Sequence, residues 1–270
     1  MKYKLIVSDF DGTVVKNDRT ASEKTIQAIK DYRAAGGNFI VSTGRMFESI
    51  VNNAHVLGLD GVNIPISAMD GGIIKETVTG KVIARSTMPY EQTAAFAEDC
   101  ERMGCYFQVY SEDKLFVAEE NDINRYYCKV SKIPMNVVGK LSDYIRKNKL
   151  ECVKVLIADK NANSFLDFFK GRYPDIQFFM SSADYLDGAS LSAGKGNSLK
   201  CLAKFFGVDI SETIAIGDSM NDISMVEAAG LGVAMANADE CLKKVADFIA
   251  PSNEDDGVAY VIEKVLKDEL

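Results

Sequence analysis

Two aspartates with one residue between them, Asp9 and Asp11, close an apolar run, and a carboxylate pair so placed can attack an electrophile, move a proton or bind a cation. The stretch reads Leu5 Ile6 Val7 Ser8 Asp9 Phe10 Asp11 Gly12 Thr13. A second acidic pair, Asp218 and Asp222, follows the apolar run Ile214 Ala215 Ile216, with Asn221 between them. Thr43 and Gly44 follow a third such run. Four carboxylates cannot share a small site without a cation, and hard oxygen donors with no neighbouring His or Cys select Mg²⁺, which keeps waters and bridges to a phosphate. Lys195, flanked by Gly194 and Gly196 at an expected helix start, would set a mobile cation beside backbone amides, a suitable anion site. Blander readings exist for each. Asp218 and Asp222 would also serve as helix caps, and a lone lysine is usually a surface residue.

These groups matter only if the fold gathers them. A short apolar run ended by a glycine turn predicts a buried parallel strand, and in open α/β sheets ligands collect beyond the carboxyl ends of such strands. After the first strand, Ser22 is a candidate N-cap for a helix through Ile26, Ile29 and Tyr32, stopped at Gly36 and Gly37. A second strand over 38–42 completes a βαβ unit, which makes Asp11 and Thr43 neighbours. A helix over 48–57, a strand over 63–68 and a turn at Asp70 Gly71 Gly72 follow.

From about residue 81 the texture changes. Strands are expected at 82–88, 105–111, 115–119, 152–158 and 176–181, the second and third joined by a Glu112-Asp113 turn, with helices at 90–103, 122–132 and 163–173. The doubly wound pattern resumes after Gly196, with helices at 198–206, 222–229, 240–245 and 258–266 between strands at 213–216, 232–235 and 248–250. The expected architecture is α/β: a doubly wound parallel sheet in a core domain of residues 1–83 and 189–270, with a smaller α/β domain, 84–188, inserted into it.

Composition narrows the function. The chain has 270 residues, 47% hydrophobic and 26% charged, and a formal net charge of -8, without the Lys and Arg cluster that nucleic acid or an anionic membrane requires. No stretch approaches a membrane span, and Lys2 and Lys4 precede an apolar run too short for a signal peptide, which predicts a cytoplasmic protein. The terminal Lys267 Asp268 Glu269 Leu270 therefore reads as a helix end rather than a retention signal. Six cysteines without CxxC spacing read as small core fillers, and the single histidine, His55, as a structural residue among apolar neighbours, which nearly excludes histidine-based zinc chemistry and Ser-His-Asp triads. A calcium loop starting at Asp9 fails because Val14 and Thr20 occupy the required glycine and glutamate positions. Gly188 to Lys195 is not a Walker A loop, having the wrong glycine spacing and Gly196 in place of Ser or Thr.

The motifs resemble those of the haloacid dehalogenase superfamily, specifically Cof-type phosphatases with a type IIB cap. Asp9 Phe10 Asp11 Gly12 Thr13 is similar to the first motif, Ser42 Thr43 Gly44 Arg45 to the second, Lys195 Gly196 to the third and Gly217 Asp218 Ser219 Met220 Asn221 Asp222 to the fourth. Met235 Ala236 Asn237 Ala238 and Asp256 Gly257 Val258 Ala259 are similar to later signatures. The resemblance implies a phosphatase of small phosphorylated metabolites, such as sugar phosphates or phosphorylated cofactors. Asp9 would form an aspartyl-phosphate, while Asp11 protonates the leaving oxygen and then activates water. Mg²⁺ would bind the Asp9 carboxylate, the Asp11 main-chain carbonyl and Asp218, with Asp222 ordering its surroundings. Thr43, the Gly44 and Phe10 amides, Lys195 and Asn221 would hold the phosphoryl oxygens.

Two positions depart from the family pattern. Asp70 Gly71 stands where Asn-Gly is usual, an extra negative charge near the phosphate site. The segment Asp187 Gly188 Ala189 Ser190 Leu191 Ser192 Ala193 Gly194 replaces the usual Glu-Ile, Pro, Gly and Ser, and predicts a more flexible hinge between insert and core. A phosphomutase on the same scaffold, and a non-catalytic phospho-acceptor like a signalling receiver domain, are the alternatives; the hundred-residue insert argues against the latter.

Overall fold

The computed structural model describes residues 1–112 and 114–270, and all of their side chains except that of Ala54. The chain begins with β1 (Leu5–Ser8), α1 (Glu23–Ala34), β2 (Asn38–Val41), α2 (Phe47–Val51), β3 (Pro65–Ala68), β4 (Ile73–Glu76) and β5 (Val82–Arg85). Ser22 does cap α1, its side chain accepting from the Thr25 amide, and Thr25, Ala28, Ile29 and Tyr32 form the buried stripe that holds the helix down. All four residues of β1 are buried; each large aliphatic side chain so placed contributes about 1.5–3 kcal/mol.

The next segment runs α3 (Tyr90–Met103), β6 (Phe107–Tyr110), β7 (Leu115–Val117), α4 (Asp122–Ser131), β8 (Met135–Val137), α5 (Leu141–Asn148), β9 (Lys154–Ala158), α6 (Ala162–Phe169), β10 (Ile176–Ser182) and β11 (Tyr185–Ser190). The last is α7 (Lys195–Phe206), β12 (Thr213–Gly217), α8 (Ile223–Ala228), β13 (Leu231–Met235), α9 (Glu240–Lys243), β14 (Phe248–Ala250) and α10 (Gly257–Leu266).

The core sheet is wholly parallel, in the order β14-β13-β12-β1-β2. The chain leaves β1 toward β2 on one side and returns to β12 on the other, so the strand order reverses at β1 and a crevice opens beyond its carboxyl end. A Ser42–Ser67 bridge continues the parallel pattern to β3, which turns back through the antiparallel ribbon β3-β4-β5.

The inserted sheet is mixed, in the order β10-β11-β9-β6-β7-β8, with β7 and β8 parallel and the other pairs antiparallel. Its alternating side chains serve two purposes. Phe107, Val109, Val155 and Ile157 join Phe96 and Phe169 in an apolar core of their own, with the two phenylalanine rings 4.9 Å apart. Gln108, Leu156 and Asp187 are cross-strand partners on the opposite face. The molecule is thus α/β, with a parallel core sheet and an inserted mixed cap sheet.

Several elements differ from the sequence-based expectations. The helix over 48–57 is α2 followed by a separate 3-10 turn, Ala54–Leu57; Asn53 bonds back to the Ser49 carbonyl where the α-helix stops, and His55 is exposed rather than packed among apolar neighbours. β4, β8, α5 and β11 were not anticipated, and α6 ends at Phe169. The flexible hinge expected over 187–194 is in large part strand: Asp187–Ser190 belong to β11, hydrogen-bonded between β10 and β9, leaving only residues 191–194 as connection. β6 and β7 pair as a hairpin, but the turn expected there includes Asp113, outside the described residues. Of the cysteines only Cys100 and Cys152 are buried, and all six are unpaired. Among the described residues no helix is long and apolar enough to cross a membrane.

Candidate active site

Because β2, β1 and β12 lie side by side and parallel, the residues that follow them meet at one edge: Thr43, Asp9 and Asp218. Oxygens of Asp9, Asp218 and Asp222 lie within 4.8 Å of one another. Lys195, 1% exposed at the first turn of α7, reaches into this group with Nζ 2.5 Å from Asp9 Oδ1 and 2.5 Å from Asp222 Oδ1. It is therefore a buried counter-ion. Burial opposes its charge, but Asp222, Asp9 and Asp70 outweigh that and hold the ammonium above its ordinary range. Gly196 permits the approach, since a Cβ there would stand 2.4 Å from the Ser224 carbonyl oxygen of α8.

The carboxylates differ in what they are free to do. Asp222 is fully committed: its Oδ2 accepts from the Asp218 and Ser219 amides at 3.0 Å each, while its Oδ1 takes Lys195. Capping and site-building are thus combined in one side chain. Asp218 accepts from Thr13 Oγ1 at 2.7 Å and is pushed up to about 6, mainly by burial, with Asp222 adding to the effect. Asp9 is pushed well above its usual range, again chiefly by burial; Lys195 opposes this while Asp222 and Asp218 reinforce it. Three carboxylates around one ammonium leave the cluster short of positive charge. A hard divalent cation fits that deficit, with Asp9 and Asp218 the better placed to hold it and Asp222 ordering the loop behind them.

Asp11 does not join the cluster. Its carboxylate is 46% exposed and forked by Arg45, with Nε–Oδ2 at 2.6 Å and Nη2–Oδ1 at 2.5 Å. The Arg45 guanidinium lies 5.3 Å from the centre of the Phe10 ring, which fixes that fork between the first two motifs. A cavity of about 370 Å³ opens here, lined by Asp9, Asp11, Thr43, Gly44 and Asn221. Among the described residues no backbone hydrogen bond takes up the Phe10 or Gly44 amide, so both donors are free for an anion. Asn221 instead donates to Asp70 Oδ1 at 2.9 Å.

The sequence did not reveal the partners of Asp70. Lys154 of β9 places Nζ 2.9 Å from Asp70 Oδ2, 2.7 Å from Asp187 Oδ2 on β11 and 3.3 Å from the Gly44 carbonyl. All three side chains are buried. The extra negative charge of Asp70 is therefore neutralised from the cap sheet. Burial pushes Asp70 up, but Lys154 and then Lys195 overcome it and hold the carboxyl below its usual range. Asp187 stays raised, because burial outweighs Lys154 and Asp70 repels it.

The chain matches the model of the haloacid dehalogenase-like hydrolases over residues 6–262. It belongs to that family. Its relatives include a 5-amino-6-(5-phospho-D-ribitylamino)uracil phosphatase of Bacillus subtilis, YwtE, 28% identical over 97% of this chain and 98% of the relative. A phosphoglycolate phosphatase of Methanosarcina acetivorans is 29% identical, covering 97% and 96%. The crystal structure of a haloacid dehalogenase-like hydrolase from Bacteroides thetaiotaomicron superposes with a TM-score of 0.85 at 28% identity, covering 97% of this chain and 99% of that one. The protein is accordingly a phosphatase of the Cof-type IIB group, a phosphoric monoester hydrolase, and the receiver-like alternative is set aside.

Proposed function

We propose that this phosphatase hydrolyses phosphate monoesters of small metabolites through an aspartyl-phosphate, with residues 84–188 acting as a specificity cap over a catalytic unit of 1–83 and 189–270. The observation that carries the reading is Lys195 seated between Asp9 and Asp222 at the strand edge shared with Thr43. An Asp9 oxygen attacks phosphorus, the ester P–O bond breaks, and Asp11 gives its proton to the departing oxygen. Asp11 then takes a proton from water as that water attacks the phosphorus, which frees inorganic phosphate and restores Asp9. Lys195, Thr43 and the Phe10 and Gly44 amides are preorganised donors for the charge that builds on the phosphoryl oxygens. Asn221 joins them once it leaves Asp70. Bound Mg²⁺ would supply further charge neutralisation at the same oxygens.

The named relatives act on chemically different leaving groups, a ribitylaminouracil and a glycolate, so neither substrate is carried over at this identity. Six unpaired cysteines suit an enzyme of the reducing cytoplasm, and the net charge of -8 suits small phosphates neutralised within a pocket better than a nucleic-acid surface. Asp9→Asn tests the mechanism. Turnover of p-nitrophenyl phosphate with Mg²⁺ should fall roughly a thousandfold or more with the circular dichroism unchanged, and acid-quenched wild-type enzyme should retain labelled phosphate that the variant does not. Substantial hydrolysis by the variant would remove Asp9 as nucleophile.

A further inference from the structure

Resting on the phosphatase reading and its Mg²⁺, we propose that Asn237 and Asn253 are positioning residues that hold the first and fourth motifs at one spacing, and so favour Mg²⁺ over the larger Ca²⁺. Neither residue belongs to the carboxylate cluster or lines the phosphoryl cavity. Both stand further along the same sheet edge, after β13 and β14, which continue the parallel order beyond β12.

The turn after β13 grips both motifs. Asn237 Nδ2 donates to the Gly12 carbonyl at 2.8 Å, and two residues on the Asp239 amide donates to the Asp218 carbonyl at 2.8 Å. The turn is itself closed by the Ala238 amide on the Met235 carbonyl at 2.9 Å, which keeps the two grips at a fixed separation. Asn253 completes the brace. Its main-chain amide donates to Asn237 Oδ1 at 3.0 Å, which leaves the Asn237 nitrogen facing Gly12, and its own Nδ2 donates to the Val15 carbonyl at 3.1 Å. The Val15 amide in turn donates to the Phe10 carbonyl at 3.1 Å, so residues 10–15 form one closed loop held from outside at Gly12 and Val15.

That loop lies directly against Asp218. Thr13 Oγ1 donates to Asp218 Oδ1 at 2.7 Å, and a Cβ on Gly12 would stand 2.5 Å from Asp218 Oδ2. A displacement of the loop therefore changes how Asp218 stands relative to Asp9 and to the Asp11 main-chain carbonyl. Mg²⁺ demands near-octahedral oxygens at about 2.0–2.1 Å, whereas Ca²⁺ accepts six to eight oxygens at about 2.3–2.6 Å in looser arrangements. A tightly kept spacing matters to the first ion and little to the second.

Calorimetric titration of the full chain without substrate reads the binding of each ion apart from turnover. Asn237→Ala should weaken Mg²⁺ binding about tenfold while Ca²⁺ binding stays within about twofold. Asn253→Ala, which keeps the main-chain amide on Asn237, should move the ratio of the two affinities the same way by less. As a ratio measured on one protein, it is unmoved by any loss of folded material. An unchanged ratio in Asn237→Ala, whether both ions weaken together or neither does, overturns the brace, as does a greater loss for Ca²⁺ than for Mg²⁺. A parent protein that binds neither ion and leaves p-nitrophenyl phosphate intact overturns the phosphatase reading beneath it.

Discussion

Replacing Lys154 with methionine should destabilise the protein more than any change at a surface lysine. Methionine keeps most of the apolar stem but removes the ammonium that lies 2.9 Å from Asp70 and 2.7 Å from Asp187. Asp70 would retain the Asn221 donor, whereas neither oxygen of Asp187 accepts a hydrogen bond in the described structure. Breaking a buried charge arrangement by deleting one partner typically costs about 3–5 kcal/mol. For a chain of this size that corresponds to a fall in Tm of roughly 10 °C. Lys154 also contacts the Gly44 carbonyl, so kcat/KM should drop with stability.

The pH dependence carries the sharper test. Burial already raises Asp187 with Lys154 present, and losing the cation raises it further. A carboxyl raised in the folded state favours folding while protonated, and that contribution is lost as pH climbs from its unfolded value through its folded one. The deficit of Lys154→Met should therefore widen between about pH 5 and about pH 8 in urea titrations. Adding Asp187→Asn should recover part of it at the higher pH. A Lys154→Met protein within about 0.5 kcal/mol of the parent at both pH values would refute the claim that these three charges tie the cap sheet to the phosphate site.

Other outcomes follow from the acidic cluster. Gly12→Ala would strain a residue at φ +73 and bring a Cβ to 2.5 Å from Asp218 Oδ2, so the apparent Mg²⁺ affinity, read by titration of activity, should fall about 10- to 100-fold without unfolding the chain. Burial pushes Asp218 up to about 6, so protons should compete with a cation at this carboxylate below that pH. Being raised, Asp218 stabilises the metal-free fold below its unfolded value and loses this as pH rises toward about 6. Calorimetric scans should accordingly show Mg²⁺ raising Tm more at about pH 7.5 than at about pH 5; an equal shift at both would show that Asp218 is not a ligand.

Most of the core was legible because its signals are local. Leu5 to Ser8, Phe39 to Val41 and Ile214 to Ile216 each announce a buried strand within a few residues, and the polar residues after them are fixed in place once the strands are parallel neighbours. The Lys154–Asp187 contact had no such signal. Lys154 and Asp187 lie more than thirty residues apart in the sequence, Asp187 within the segment expected to be a flexible hinge, and only the long-range pairing of β9 with β11 puts them on one buried face. Gly188 obscured the strand further: it is small because Val155 and Phe178 fill the space a Cβ would need, not because the chain bends there. Asp70, lying outside the family's usual pattern, was the one clue that a cation had to come from elsewhere.

The spacing of Asp9 and Asp11 misleads in an instructive way. Alternate residues of a continuing strand point to the same side, so the pair reads as two carboxylates sharing one environment. The strand instead stops at Ser8, Phe10 is buried behind it, and Gly12 turns the chain with φ +73. Asp9 is consequently drawn into the buried cluster with Lys195, while Asp11 stands on the open side, held by Arg45, and both line the same cavity. Two carboxylates in such different surroundings suit different tasks, the enclosed one bonding to phosphorus and the open one handing protons to and from solvent. Asp11 can do so only once the Arg45 fork lets go.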